Sequence, residues 1–215
     1  MSECPEAVAS KLNALLNQAG LDCLDPEQGA SFRNYLELLL RWNARVNLTA
    51  IRDENGILAR HFVESIACAR VLPNGIGTLL DFGSGAGFPG IPIALCRPEI
   101  AVTLAESAGK KAAFLQEAVR VLGISAKVYS GRAESLAAQF DCVVLRAVDK
   151  MELAVQAAAR LVAPAGLLAL MTTRTELPGL QAAAGAALCW EVAASQPASE
   201  ERLIAFARRA VSSPA

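Results

Sequence analysis

The residues with the clearest capacity for chemistry are the closely spaced glycines of Asp81-Phe82-Gly83-Ser84-Gly85-Ala86-Gly87-Phe88-Pro89-Gly90. Thr78–Phe82 reads as a buried strand feeding this turn, and Gly90–Cys96 as the helix leaving it. Glycine admits positive φ and lets a ligand approach the main chain, and a helix N-terminus offers free N–H groups, so a nucleotide or nucleoside is the expected occupant. Gly85-Ala86-Gly87-Phe88-Pro89-Gly90 also fits the G-x-G-x-x-G dinucleotide pattern. Glu106, at the end of the next strand, can bind a ribose in either case. The motif alone does not choose the cofactor. The other metal- or redox-capable residues are sparse: one histidine, His61, and six cysteines 19 to 47 residues apart with no C-x-x-C pair. Neither a zinc site nor a disulfide framework is expected, and the cysteines read as reduced thiols serving as small hydrophobes.

The elements that must position these residues follow from a chain of 215 residues, enough for one well-filled core. Hydrophobic residues make up 53% and charged residues 19%, but 42 alanines account for much of the apolar excess. Arg160 and Pro164 interrupt the best apolar candidate, Leu153 to Met171, so no membrane span is expected. The N-terminus lacks a basic start and apolar run, which makes the cytosol the expected compartment. A formal charge of −1 announces no nucleic-acid partner, so any such partner must be argued locally.

Residues 1–72 read as a helical cap and residues 73–215 as a ligand-binding α/β domain, the two forming one structural unit. Asp25-Pro26-Glu27-Gln28 is a cap, a helix-starting proline and a capping-box partner. Phe32, Tyr35, Leu36 and Leu39 then line one helix face. A further helix starts at Asp53 and runs through Ile57, Leu58, Phe62 and Ile66 to Pro73-Asn74-Gly75. Strands are predicted at Thr78–Phe82, Ala101–Ala105, Ala126–Ser130, Asp141–Leu145 and Gly166–Thr172. Helices are predicted at Gly90–Cys96, Ala108–Leu122, Arg132–Ala138 and Lys150–Val162, with Ser107 and Asp149 as caps and Gly123 as a stop. Gln181–Leu188 reads as a helix against the sheet. Cys189–Ser195 and Arg202–Arg208 leave no room for a crossover helix and must pair antiparallel. The expected fold is a Rossmann-like, doubly wound α/β sheet of about seven strands with a C-terminal antiparallel hairpin. This hairpin, the acid-x-Gly-x-Gly-x-Gly frame from Asp81, and Pro89, which removes an N–H from the turn that would hold a pyrophosphate, favour S-adenosylmethionine (SAM) over NAD.

Several segments recur together in one known family: Trp42-Asn43 leading to Asn47-Leu48-Thr49; Arg60-His61-Phe62 with Glu64-Ser65; the Asp81–Pro92 loop; Gly109-Lys110-Lys111 with Phe114-Leu115; Gly131-Arg132-Ala133-Glu134; and Arg146-Ala147. In order and spacing the chain resembles the RsmG (GidB) family of bacterial 16S rRNA guanine-N7 methyltransferases, of the class I SAM-dependent fold. The resemblance implies that Gly83, Phe88, Ala133, Glu134 and Arg146 contact SAM, beside Gly85 and Glu106 of the loop reading. It implies 16S rRNA or the small ribosomal subunit as partner; a monomer is expected, and the cysteine and histidine spacing leads to no metal being expected. Two departures stand out. Thr172-Thr173-Arg174 replaces a Lys-Gly after the fifth strand, with Arg174 no geometric equivalent of that lysine, and Glu106 stands where aspartate is usual.

Guanine N7 carries a lone pair and no proton, so methyl transfer to it needs no general base. Alignment is the main requirement, worth on the order of 7–11 kcal/mol for well-oriented reactants. The chain accordingly lacks the Asn/Asp-Pro-Pro-Tyr/Phe motif of amino-group methyltransferases and the Pro-Cys nucleophile of cytosine-C5 enzymes. Arg146 and His61 are the candidates nearest the chemistry. An N7 donor bond from Arg146 would block the attacking lone pair, so cofactor, O6 or phosphate is its expected partner, with a strand-end salt bridge as the plainer reading. Arg60 and His61 are expected as substrate or cofactor-pocket contacts, or as a solvated helix face. Asn47 and Thr49 are expected near the site or as a turn device. Arg41, Arg45, Arg52, Lys110 and Lys111 are candidate phosphate contacts, and Phe32 and Tyr35 are assigned to packing. Three other functions fit parts of the pattern: a SAM methyltransferase of another acceptor, a nicotinamide-dependent oxidoreductase, and a non-catalytic nucleoside-sensing or RNA-binding module.

Overall fold

The structure, a computed structural model, describes residues 5–191, 194–197 and 199–210. After α1 (Pro5–Gln18), α2 (Pro26–Asn43) begins at the capping box. Asp25 Oδ1 accepts from Gln28 N at 2.8 Å while Gln28 Oε1 accepts from Asp25 N at 3.4 Å. Asp53 caps α3 (Glu54–Gly56) in the same way, accepting from Gly56 N at 2.7 Å. The helix continues through a widened π-helical stretch, Ile57–Val63, into α4 (Glu64–Val71). The sequence gives no warning of this widening, which carries both Arg60 and His61; π turns often occur at functional sites.

Five parallel strands follow: β1 (Thr78–Phe82), β2 (Ala101–Ala105), β3 (Ala126–Tyr129), β4 (Phe140–Arg146) and β5 (Val162–Thr173). They alternate with α5 (Gly90–Cys96), α6 (Gly109–Leu122), α7 (Met151–Leu161) and α8 (Leu177–Ala184). The chain closes with β6 (Leu188–Trp190), β7 (Ala194–Ser195) and β8 (Arg202–Arg209). The strand order is β3-β2-β1-β4-β5-β8-β6, with β7 also on β8. β8 is therefore inserted between β5 and β6, antiparallel to both. This is the doubly wound sheet with an antiparallel end that the sequence predicts, except that the single predicted strand Cys189–Ser195 is divided into β6 and β7, both paired with β8.

Each face of the sheet has its own apolar cluster. α1, α2 and the Asp53-capped helix bury Leu12, Phe32, Tyr35 and Phe62 on the face that also holds Leu104 and Phe114. On the other face α7 and α8 cover Leu80, Val143, Leu145 and Leu168. Phe32 and Tyr35 are fully buried, as their packing assignment requires. Among the described residues no helix is long and apolar enough to cross a membrane.

Four local expectations are corrected. The predicted Arg132–Ala138 helix is only a 3₁₀ turn, Ala133–Ser135: of this stretch only Ala133 and Leu136 meet the apolar cluster, too narrow a face to hold a helix before β4. Ser107 and Asp149 are not caps. The Ala108 N–H goes to Glu106 Oε1, and Lys150 enters α7 at φ +51° without a side-chain cap. The alanine-rich helix ends at Ala184, and Leu188 already belongs to β6. Cys68 and Cys142 are buried hydrophobes, whereas Cys23 and Cys189 are exposed free thiols. Cys4 lies outside the described residues.

Candidate functional site

A crevice of about 860 Å³ opens at the C-terminal ends of β1, β2 and β4, where open α/β sheets bind ligands. Its floor is the glycine turn. Gly83 and Ser84 donate their N–H groups to Ala105 O, both at 3.0 Å, which binds the turn to the neighbouring strand. Gly85, at φ +57°, faces open crevice: a Cβ there would meet nothing nearer than Gly83 O at 3.9 Å. Gly90 serves packing instead, since a Cβ would collide with Leu104 and the Asp81 carboxylate.

The helix after the turn does not offer the free N–H groups the sequence suggests. Gly90 N donates to Asp81 Oδ2 at 3.0 Å, Ile91 N to Gly87 O at 2.8 Å and Ile93 N to Pro89 O at 3.0 Å, while Pro89 and Pro92 have none. The helix start thus has its main-chain donors already engaged, which counts against a pyrophosphate there and against the dinucleotide reading. Asp81 is 1% exposed, and burial pushes its carboxyl up to about 7 despite the Gly90 bond. Glu106 lines the crevice and ties down its rim: Oε2 accepts from Gly85 N at 2.9 Å and Oε1 from Ala108 N at 2.7 Å. A carboxylate has about four acceptor sites, so it retains capacity for ligand hydroxyls.

Opposite the glycines, the π-helical stretch brings His61 over Phe88, with rings 4.6 Å apart and 18° from parallel. His61 Nε2 and Thr49 Oγ1 share a 2.7 Å hydrogen bond, while Nδ1 is buried without a partner. Burial, with Arg146 and Arg60 nearby, pulls the imidazole down to about 3, so it is neutral at physiological pH. Ala133, Glu134, Lys111, Arg60 and Arg146 also line the crevice, as do Gly83 and Phe88. Five candidates lie off its wall: Asn47, which accepts from Arg52 Nη2 at 3.1 Å, Arg52 itself, Arg41, which pairs with Glu117, Arg45 and Lys110.

Arg146 is shared with a second, smaller cavity of about 250 Å³. The smaller cavity is lined by Glu64, 2% exposed, which gathers three arginines from distant parts of the chain. Arg146 Nη2 donates to Glu64 Oε2 at 2.8 Å and to Arg60 O at 2.6 Å, and Arg60 Nε donates to Glu64 Oε1 at 3.3 Å. Arg202 Nε lies 2.9 Å from Oε1, at ion-pair distance but off the hydrogen-bonding angle. The plainer expectation for Arg146, a salt bridge, thus coexists with its place on the cavity wall. Arg174 does not stand in for a lysine: it turns to the terminal hairpin, donating to Glu200 O at 2.7 Å and Ser195 Oγ at 3.3 Å. Sequence reasoning missed Glu64 as the hub, and Arg202 and Gln196 altogether. Glu64-Ser65 lay inside a recognised motif, but nothing local signals pairing with residues 82 and 138 positions away.

The fold has counterparts among solved methyltransferases. The mitomycin 7-O-methyltransferase MmcR superposes with a TM-score of 0.62 over 96% of this chain and 72% of that one, at 13% identity. P. horikoshii TYW2 in complex with MeSAdo superposes at 0.56 over 69% and 62%, at 12% identity. At such identities the likeness establishes the fold, that of class I methyltransferases. Sequence relatives are nearer. "Ribosomal RNA small subunit methyltransferase G" of Roseiflexus sp. (strain RS-1) is 46% identical over 150 residues, covering 65% of this chain and 64% of the relative. The protein of that name from Stenotrophomonas maltophilia (strain K279a) is 43% identical over 171 residues, 78% of each. The family profile for rRNA small subunit methyltransferase G matches residues 28–197, which span the π-helical stretch, the glycine turn, Glu64 and Arg146. The chain belongs to the rRNA small subunit methyltransferase G (GidB) family.

Proposed function

We propose that this protein transfers a methyl group from SAM to N7 of a guanosine in 16S rRNA. The observation that carries this reading is the crevice itself in a chain of this family: an open glycine cradle at Gly85 and a rim carboxylate, Glu106, joined at Arg146 to a second cavity. When bound, SAM would supply an electrophilic methyl on sulfur: the N7 lone pair would form a bond to the methyl carbon in line as the carbon–sulfur pair leaves with sulfur, giving S-adenosylhomocysteine and a cationic 7-methylguanine. The residues hold and screen. Gly85 leaves room for the ligand against the main chain, and Glu106 accepts from ribose hydroxyls with its remaining lone pairs. Phe88 and His61 form an uncharged stacked wall. That neutrality suits the reaction, because both the sulfonium and the methylated purine are cations and a third positive charge against them would oppose transfer. Glu64 offsets one of the three guanidinium charges it gathers, and its direct ion pair with Arg146 lowers the positive field at the crevice wall. No side chain removes a proton. Lys111, Arg41, Arg45 and Arg52 are assigned to phosphate contact.

The test is transfer from methyl-labelled SAM to naked 16S rRNA and to intact 30S subunits from a strain lacking this activity, followed by nucleoside analysis. Label in 7-methylguanosine is the expected result, and comparison of the two substrates identifies the assembly state used. Clear SAM binding by calorimetry with no label in either RNA would defeat the rRNA reading in favour of another acceptor.

A further inference from the structure

The smaller cavity contains an anomaly. Gln196, directly after β7, is 4% exposed, and neither its Nε2 nor its Oε1 has a partner among the described residues. Its backbone is fixed, with Gln196 N donating to Arg202 O at 2.8 Å, and its side chain lines the cavity. For folding alone a leucine would serve better there, because a buried amide without partners is a net cost. Arg146, which also lines this cavity, has an Nη1 that is likewise buried without a partner among the described residues. Nearby, Thr172 and Thr173 each donate a hydroxyl to Glu176 Oε2, at 3.0 and 2.9 Å, orienting that carboxylate at the cavity edge.

We propose that this cavity receives the acceptor base and that Gln196 reads its Watson–Crick edge. The inference rests on the acceptor assigned above and deepens it. A phosphate would suit Arg146 and Arg202, but it only accepts hydrogen bonds and would be repelled by Gln196 Oε1 and Glu176. A guanine edge offers both kinds of group: N1–H and N2–H donate to Gln196 Oε1 or Glu176, and O6 accepts from Gln196 Nε2 or Arg146 Nη1. Base-modifying enzymes read an extruded base in this manner. Reading that edge leaves N7 unobstructed, which attack by its lone pair demands. The position is also right, since Arg60, Arg146, Ala147 and Val148 line both cavities, so a base in one lies beside a methyl donor in the other.

Gln196→Leu tests this because it removes the reading groups while relieving the folding cost. The variant is expected to bind SAM as the wild type does and to melt no lower. Its kcat/KM on 30S subunits lacking the modification should fall on the order of 10-fold. In parallel, saturation-transfer NMR with S-adenosylhomocysteine present should detect GMP above AMP on the wild type, with that preference lost in the variant. Unchanged kcat/KM in the variant, equal signals from GMP and AMP on the wild type, or displacement of GMP by inorganic phosphate alone would each overturn the proposal. Failure of the wild type to methylate any RNA while the GMP preference persists would overturn the acceptor assignment and uphold the base pocket.

Discussion

His61 shows how environment decides what a side chain can do. An imidazole in a crevice invites a role in proton transfer, yet burial and two neighbouring guanidinium groups hold it neutral, and the proposed transfer to N7 has no proton to remove. Asp81 is perturbed in the opposite sense, and the pair gives a pH signature in stability. Asp81 is raised in the folded state, so the folded protein binds its proton more tightly and stability falls as pH rises from about 4, the unfolded value, to about 7. His61 is lowered, so its contribution is complete above about 6.5 and is lost as pH falls toward about 3. The two slopes oppose between about 4 and 6.5 and partly cancel. In urea titrations Asp81→Asn should abolish the falling component, leaving stability that rises with pH across that range. A variant that kept the wild-type slope would show Asp81 to be ionised in the fold. Of the site, the glycine turn, Glu106 and Phe88 were legible because the residues that define them lie within one strand–turn–helix segment or end the adjacent strand. The Glu64 hub and Gln196 were not, because each takes its meaning from partners brought near only by the finished sheet.

At the scale of elements, the parallel strands could be read because each is a short apolar run between helix-length segments, and α2 because its capping box is local. The failed helix after β3 and the misassigned Ser107 cap were decided by tertiary contacts: too little apolar surface in one case, and a carboxylate from the preceding strand end in the other. The glycines separate local from tertiary demands. Gly123 ends α6 at φ +63°, and a Cβ there would meet nothing within 4 Å, so Gly123→Ala should cost only the conformational strain, about 1 kcal/mol. Gly90 has an ordinary φ, but its Cβ would overlap Asp81 and Leu104 in the fully packed floor of the crevice. Gly90→Ala should therefore destabilise by about 3 kcal/mol or more and weaken SAM binding, where Gly123→Ala leaves affinity unchanged. Denaturant midpoints and calorimetry on both variants check the contrast.

Across the whole molecule, the helical cap and the glycine turn are joined by one bond and a stack of rings. Tyr35 donates its hydroxyl to Ala86 O at 2.5 Å, and its ring stacks on Phe62 at 5.2 Å while touching Phe88 at 5.4 Å. The cap thus braces the turn from behind. Tyr35→Phe keeps the rings and deletes the hydroxyl, so it should cost about 1 kcal/mol of stability. It should also raise the SAM dissociation constant, and in the wild type SAM should slow hydrogen exchange in α2 as well as in the turn. Exchange protection confined to the sheet would show the cap to be a passive lid. The insertion of β8 between β5 and β6 has a consequence for the order of events during synthesis. On the ribosome β1 to β5 emerge first and can pair among themselves, but the strand that completes the sheet is made last. Until it arrives, β5 presents an open edge of unsatisfied main-chain groups, the condition under which nascent chains associate wrongly. Arg202, the first residue of β8, arrives with it, so the growing chain acquires its arginine-ringed carboxylate only as its final strand zips into place.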